Sequence, residues 1–118
     1  MTNPSPKRGE IWLSNLNPTQ GSEQAGIRPV IIFQNDLVSR FSTTSIAIPL
    51  TTNLRRANLP LCLLIEQGNG GLSEDSVALC FQMRTLDKSR LISKLGQLNT
   101  ELIIQLEEVV LLTLGYDG

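Results

Sequence analysis

The chain has 118 residues, with ten basic and eleven acidic side chains and a net charge of −1, so its overall charge does not advertise a polyanion partner. A chain of this length buries roughly two-thirds of its unfolded surface in one core, which leaves room for one domain and one site. It contains no histidine, which removes the usual general base near neutral pH and the commonest metal ligand.

Residues 1–8, "MTNPSPKR", are polar and carry two prolines, and they read as a flexible lead-in to a single domain over 9–118. No apolar stretch follows Lys7 and Arg8 as in a signal peptide, and no run approaches the roughly 20 apolar residues of a membrane span. The chain is therefore expected to be soluble and cytoplasmic, with no membrane partner.

"EIWLSNL" predicts a first strand, and "NPTQGSEQAG" is a loop rich in Gly, Asn, Ser and Pro, long enough to suggest function rather than connection. "RPVIIFQ" follows as a near-continuous apolar strand, buried on both faces, and "NDLVSRFSTT" reads as a polar connection. Ser45 to Leu50 form a strand with Ile46, Ile48 and Leu50 turned to one face, and "TTNLRRANLP" is the next loop. "LCLLIE" and "DSVALCFQMRT" are two further strands, separated by "QGNGGLSE", whose glycines permit a tight reversal. Cys62 and Cys80 lie inside these apolar runs, spaced like neither a CxxC pair nor a zinc site, and read as buried core thiols with no disulfide.

A short strand or turn at Arg90 to Ile92 and then "KLGQL" lead into the one convincing helix. Asn99 or Thr100 can cap it, and Leu102, Ile103, Leu106, Val109, Val110 and Leu114 recur at three- and four-residue steps before Gly115 stops it. The acids are scattered singly apart from Glu74-Asp75 and Glu107-Glu108, and a metal-dependent hydrolase is not expected. The basic residues bunch at Arg55 and Arg56 and again at Arg84, Lys88, Arg90 and Lys94, which leaves room for a local basic surface.

Five or six strands with short links and a terminal helix describe a mainly β, mostly antiparallel small barrel or curved sheet closed by a helix. Apolar residues make up 41% of the chain, more than so small a barrel needs inside. A homodimer would use the surplus, and so would a larger monomer core.

Two positions carry chemistry. Arg28 precedes Pro29, which pushes its backbone toward an extended conformation and aims its side chain where a long polar loop meets a buried strand. Its planar fork of donors suits phosphate, although an edge arginine can equally cap loop carbonyls or pair with Glu23. Thr51 and Thr52 close the third strand. With Ile46, Ile48 and Leu50 on the core face, the period of two puts Thr52 with the core and Thr51 facing out beside Ala47 and Ser45. A Thr pair at a strand end can also simply satisfy local backbone groups.

"KRGEIWLSNLNPTQGSEQAGIRPVIIFQND", "IPLTTN" and "DSVALCFQMRTLDKSRLISKLGQL" together resemble the MazF/PemK family of toxin endoribonucleases, in order and over nearly the whole chain. The resemblance implies an SH3-like, PemK-like antiparallel β-barrel with a C-terminal α-helix. It also implies a ribonuclease that cuts single-stranded RNA at a short sequence without a metal or cofactor, by attack of a 2′-hydroxyl on the adjacent phosphate. The family's catalytic arginine in "G-x-R-P" falls on Arg28, its catalytic threonine on Thr51, and its loop glutamate on Glu23. By the same match Ser22, Gln24, Thr52, Ser76 and Gln82 are RNA-reading candidates, with Arg84 on the backbone.

Of the aromatics, Trp12 and Phe33 read as core, and hydrogen bonding rather than stacking is expected to dominate recognition. The resemblance further implies a homodimer with RNA in a groove at the interface and a cognate antitoxin protein competing for that groove. A gyrase-binding toxin on the same fold and a relative that only pairs with an antitoxin are the competing readings.

Overall fold

Apolar side chains on both faces of one strand organise this fold. The computed structural model describes residues 5–17, 21, 26–58 and 60–116. In chain order the elements are β1 (Glu10–Asn15), β2 (Ile27–Ile32), α1 (Asp36–Ser39), β3 (Thr44–Thr51), β4 (Cys62–Ile65), β5 (Ser76–Leu79), β6 (Arg84–Asp87), β7 (Leu91–Gln97) and α2 (Thr100–Thr113). On β2, Ile31 joins Ile11, Ile48, Leu50 and Leu106 in the main core. Val30 and Ile32 point the other way and join Leu16, Ala47, Leu86 and Leu91, with Trp12 packed against them. Alternation on a strand buried on both sides therefore feeds two cores.

All the pairings are antiparallel, in the order β4-β5-β3-β2-β1-β7, with β6 paired to β3 beside β5. A mainly β, antiparallel architecture with a C-terminal helix is what the sequence predicts. Closure differs from that of a continuous barrel: the hydrogen-bonded order ends at β4 and β7. At the β7 edge the backbone of a tight turn, Asn69–Gly71, lies against the strand instead. A Cβ placed on Gly96 would meet the Gly70 carbonyl carbon at 2.5 Å, so only glycine allows this approach.

The helix forms as its pattern predicts. Asn99 is the cap, its Oδ1 accepting the Leu102 N–H at 2.9 Å. Leu106 and Val110 are buried, Leu102, Ile103 and Val109 pack against the same core, and Gly115 leaves the helix with φ of 90°. Packing starts ahead of Gly9. Pro6 is buried and its carbonyl accepts from Ser39 Oγ at 3.0 Å. Arg8 lies 4.0 Å over the Phe33 ring, donates to the Phe33 carbonyl at 2.8 Å and pairs with Glu107 at 2.8 Å, tying the residue that follows β2 to α2.

Glu10, at 5% exposure, accepts from the Lys7 N–H and Trp12 Nε1 and pairs with Lys94 at 2.9 Å. Burial works to raise its pKa, but the hydrogen bonds from Lys7, Lys94 and Trp12 outweigh it and hold the carboxyl below its ordinary value.

Several local expectations change. The stretch expected to be a polar connection contains the short helix α1, capped by Asn35. The strand expected through "DSVALCFQMRT" breaks into β5, a 3-10 turn at Cys80–Gln82, and β6. The expected short strand or turn near Arg90 to Ile92 is a 3-10 turn at Lys88–Arg90 followed directly by a seven-residue β7. Phe33 is core as expected, whereas Trp12 and Cys62 are only half-buried and Cys80 is fully buried.

Candidate active site

The register between β2 and β3 runs Ile32↔Ala47, Ile31↔Ile48 and Val30↔Pro49. Arg28 and Thr51 each lie two residues beyond Val30↔Pro49, at one end of the sheet. A step of two returns a side chain to the same face, so both belong to the face of Val30 and Ala47. Arg28 is exposed and stands opposite Ser14 of β1, a buried residue whose Oγ donates to the Arg28 carbonyl at 3.4 Å. That bond helps hold the arginine backbone extended, as Pro29 also requires.

Thr51 does not face out as the alternation predicts; it is buried, at 7% exposure, and Thr52 is exposed. Parity is right and the inference from it is wrong, because the face opposite the main core is itself covered: Ala47 is fully buried in the second cluster and Ser45 is 2% exposed. The strand ends at Thr51, so alternation no longer governs Thr52. Thr51 Oγ1 accepts the Asn53 N–H at 3.2 Å, a local turn that fixes the hydroxyl.

The remaining candidates divide. Thr51 pairs with Val77 of β5, which brings Ser76 close, but Ser76 is buried and its Oγ donates to the Glu74 carbonyl at 3.0 Å. Gln82 is half-buried on the turn Cys80–Gln82. Arg84 opens β6 opposite Ala47, half-buried, and its Nη1 is buried with no hydrogen-bond partner among the described residues, as is the Ser45 hydroxyl. Ser22, Glu23 and Gln24 lie outside the described residues.

Three further side chains shape this region: Asn17, and two arginines, Arg56 and Arg90, that the sequence offered only as part of a local basic surface. Asn17 accepts the Gly26 N–H through Oδ1 at 3.1 Å, while the Leu16 N–H donates to the Gly26 carbonyl at 2.9 Å, so the β1–β2 loop is pinched at its base. Arg90 donates from Nη1 to the carbonyls of Asn15 and Asn17, fastening that base to the turn before β7. Arg56 lies over the Phe81 ring at 5.8 Å from its centroid. An Asn in a Pro- and Gly-rich loop is the only sequence signal for the first of these, and the other two are contacts between distant segments.

Burial pushes the Cys80 thiol up to about 12 and raises Cys62 as well, so neither offers a thiolate near neutral pH. Among the described residues no three or more Cys, Asp or Glu side chains group as a metal site. What remains at the sheet end is a guanidinium and a hydroxyl on one face, a pair suited to holding the oxygens of an anion.

The family described as "PemK-like, MazF-like toxin of type II toxin-antitoxin system" matches residues 7–114. The chain is 40% identical over 109 residues, 92% of its length and 94% of the relative's, to Endoribonuclease EndoA of Bacillus subtilis (strain 168). Its fold is similar to that of MazF (Form-I) from Deinococcus radiodurans, with a TM-score of 0.81 at 23% identity over 94% of this chain and 97% of that one. An endoribonuclease in complex with its cognate antitoxin, from a mycobacterial species, is similar with a TM-score of 0.79 at 21% identity over 96% of this chain and 98% of that one. The match runs over residues 7–114, from Lys7 through the helix α2, and the chain belongs to the PemK-like, MazF-like toxins of type II toxin–antitoxin systems.

Proposed function

We propose that the chain is an endoribonuclease toxin that cuts single-stranded RNA at a short sequence without a metal, is neutralised by a cognate antitoxin, and works as a cytoplasmic homodimer. The observation that carries the reading is the placement of Arg28 and Thr51 on one face, each two residues past the Val30↔Pro49 rung, in a chain 40% identical to a protein named as an endoribonuclease.

In the reaction a 2′-oxygen attacks the adjacent phosphorus, the P–O2′ bond forms and the P–O5′ bond breaks. The products are a 2′,3′-cyclic phosphate and, once the departing 5′-oxygen takes a proton from water, a 5′-hydroxyl. The part of the Arg28 guanidinium is to hold the charge that grows on the phosphoryl oxygens, a contribution of roughly 10²- to 10³-fold in rate. Thr51, fixed by the Asn53 N–H, donates to a phosphate oxygen. Glu23 takes the role of proton acceptor from the 2′-hydroxyl or of orienting Arg28. Gln82 reads a base edge, with Ser22, Gln24 and Thr52 as further contacts, and Arg84 lies along the RNA backbone, while Ser76, buried and bonded to the Glu74 carbonyl, supports the site from behind.

Incubating the protein with a long single-stranded RNA in EDTA tests the reading. Discrete fragments ending in cyclic phosphate are expected. Intact RNA would overturn it and favour a toxin that acts by binding alone.

A further inference from the structure

The break between β5 and β6 has a counting origin. From the rung Leu50↔Ala78 to the rung Ala47↔Arg84, β3 spends two residues, Ile48 and Pro49, while the opposing chain spends five, Leu79, Cys80, Phe81, Gln82 and Met83. Pro49 lacks an N–H and suits a place where a ladder lapses. The excess is thrown out as the 3-10 turn, closed by the Met83 N–H on the Cys80 carbonyl at 3.2 Å. Cys80 fills the core, and Phe81 is turned outward at 41% exposure beside Gln82.

An outward phenyl on a looped-out turn contributes little to the core, yet it is held. Its holder is Arg56, whose guanidinium stands 5.8 Å from the ring centroid, within cation–π range. Arg56 in turn is tied to Thr51: its N–H donates to the Asn53 carbonyl at 3.1 Å, and the Asn53 N–H donates to Thr51 Oγ1 at 3.2 Å. One short relay thus runs from the hydroxyl assigned to the phosphate to a surface ring with a cation against it. Such a pairing suits a nucleobase, since a base stacks on an aromatic face and an adjacent Arg supplies both cation–π attraction and phosphate affinity.

We propose that Phe81, backed by Arg56, is a stacking platform for one base of the bound RNA, next to the base whose edge Gln82 reads. The inference rests on the nuclease reading above. It adds a base contact by stacking where the sequence leads one to expect hydrogen bonding to dominate.

The test uses the whole protein as parent, Phe81→Leu, Phe81→Trp and Arg56→Gln. Cut sites are first mapped on a random-sequence single-stranded RNA pool. A short RNA carrying the mapped site, blocked by 2′-O-methyl at the attacking position, is then titrated by fluorescence anisotropy, intact and with each base in turn made abasic.

Phe81→Leu should weaken binding about tenfold, and Phe81→Trp should restore it. Arg56→Gln should weaken it by a smaller factor. One abasic position should cost the parent about tenfold and cost Phe81→Leu nothing. Equal binding by parent and Phe81→Leu overturns the platform, as does an abasic penalty that Phe81→Leu retains at every position; leucine would also serve as well as phenylalanine if the ring were an anchor for a protein partner. A parent that cuts no RNA removes the nuclease reading and the platform together, whereas a parent that cuts with an indifferent Phe81 removes the platform alone.

Discussion

Val30 of β2 stands directly opposite Pro49 of β3, and this one rung puts Arg28 and Thr51 at the same end and on the same face of the sheet. Arg28→Ala and Thr51→Ala are each expected to lower cleavage by about 10²- to 10³-fold, the usual effect of removing one preorganised donor. Both should leave the far-UV circular dichroism spectrum unchanged, because Arg28 is exposed and Thr51 lies at the strand end. Thr51→Ser should keep most of the activity, since the hydroxyl survives. Cleavage at the parental rate by either alanine variant would remove that residue from the mechanism.

Arg90→Ala is expected to act on the loop and not on the chemistry. It removes the donor shared by the Asn15 and Asn17 carbonyls at the base of the β1–β2 loop. Steady-state cleavage should show a raised KM with a smaller change in kcat, as expected when substrate binding is lost more than transition-state stabilisation. A fall in kcat alone would contradict this.

Gly96→Ala places a methyl against the Gly70 backbone, 2.5 Å from its carbonyl carbon. Because the obstacle is main chain and not a yielding side chain, the turn must separate from β7, and a cost of about 1–3 kcal/mol is expected. Urea unfolding measures it, with Gly68→Ala as comparison, where no atom lies within 4 Å of the added carbon and only the backbone φ of 93° is strained.

Glu10 makes stability depend on acid. Its pKa in the folded chain lies below the ordinary value of 4.5. The folded state therefore prefers the carboxylate: the contribution is complete above the unfolded pKa and is lost as pH falls through the folded one. Glu10→Gln should cost about 1 kcal/mol at pH 7, where a charge-assisted contact to Lys94 is replaced by a neutral one. The gap between parent and variant in urea midpoint should close as the pH is taken below 4.5. A gap that is constant with pH would mean the carboxylate charge is not what matters.

How much of this could be read from the chain alone differs element by element. The helix was legible to within one residue of its cap, Asn99 or Thr100, because a capping side chain, the three- and four-residue apolar spacing and Gly115 are local signals that compete with nothing distant; the structure selects Asn99. Arg28 was legible as an aimed side chain because Pro29 restricts its neighbour wherever the chain goes. The residue identities also carried the family, which the match over residues 7–114 shows.

The environment of Thr51 was not legible. A period of two sorts side chains onto faces, but whether the second face meets solvent depends on Leu16, Leu86 and Leu91 arriving from other segments. The 3-10 turn that lifts Phe81 and Gln82 outward was hidden for a related reason. "DSVALCFQMRT" has strand character throughout, and it breaks only because β3 offers two residues where its partner has five. Sequence by itself determined which residues prefer which backbone and which share a face. Tertiary structure alone decided what covers each face and where a ladder must give way, because burial and register belong to pairs of segments and not to either one.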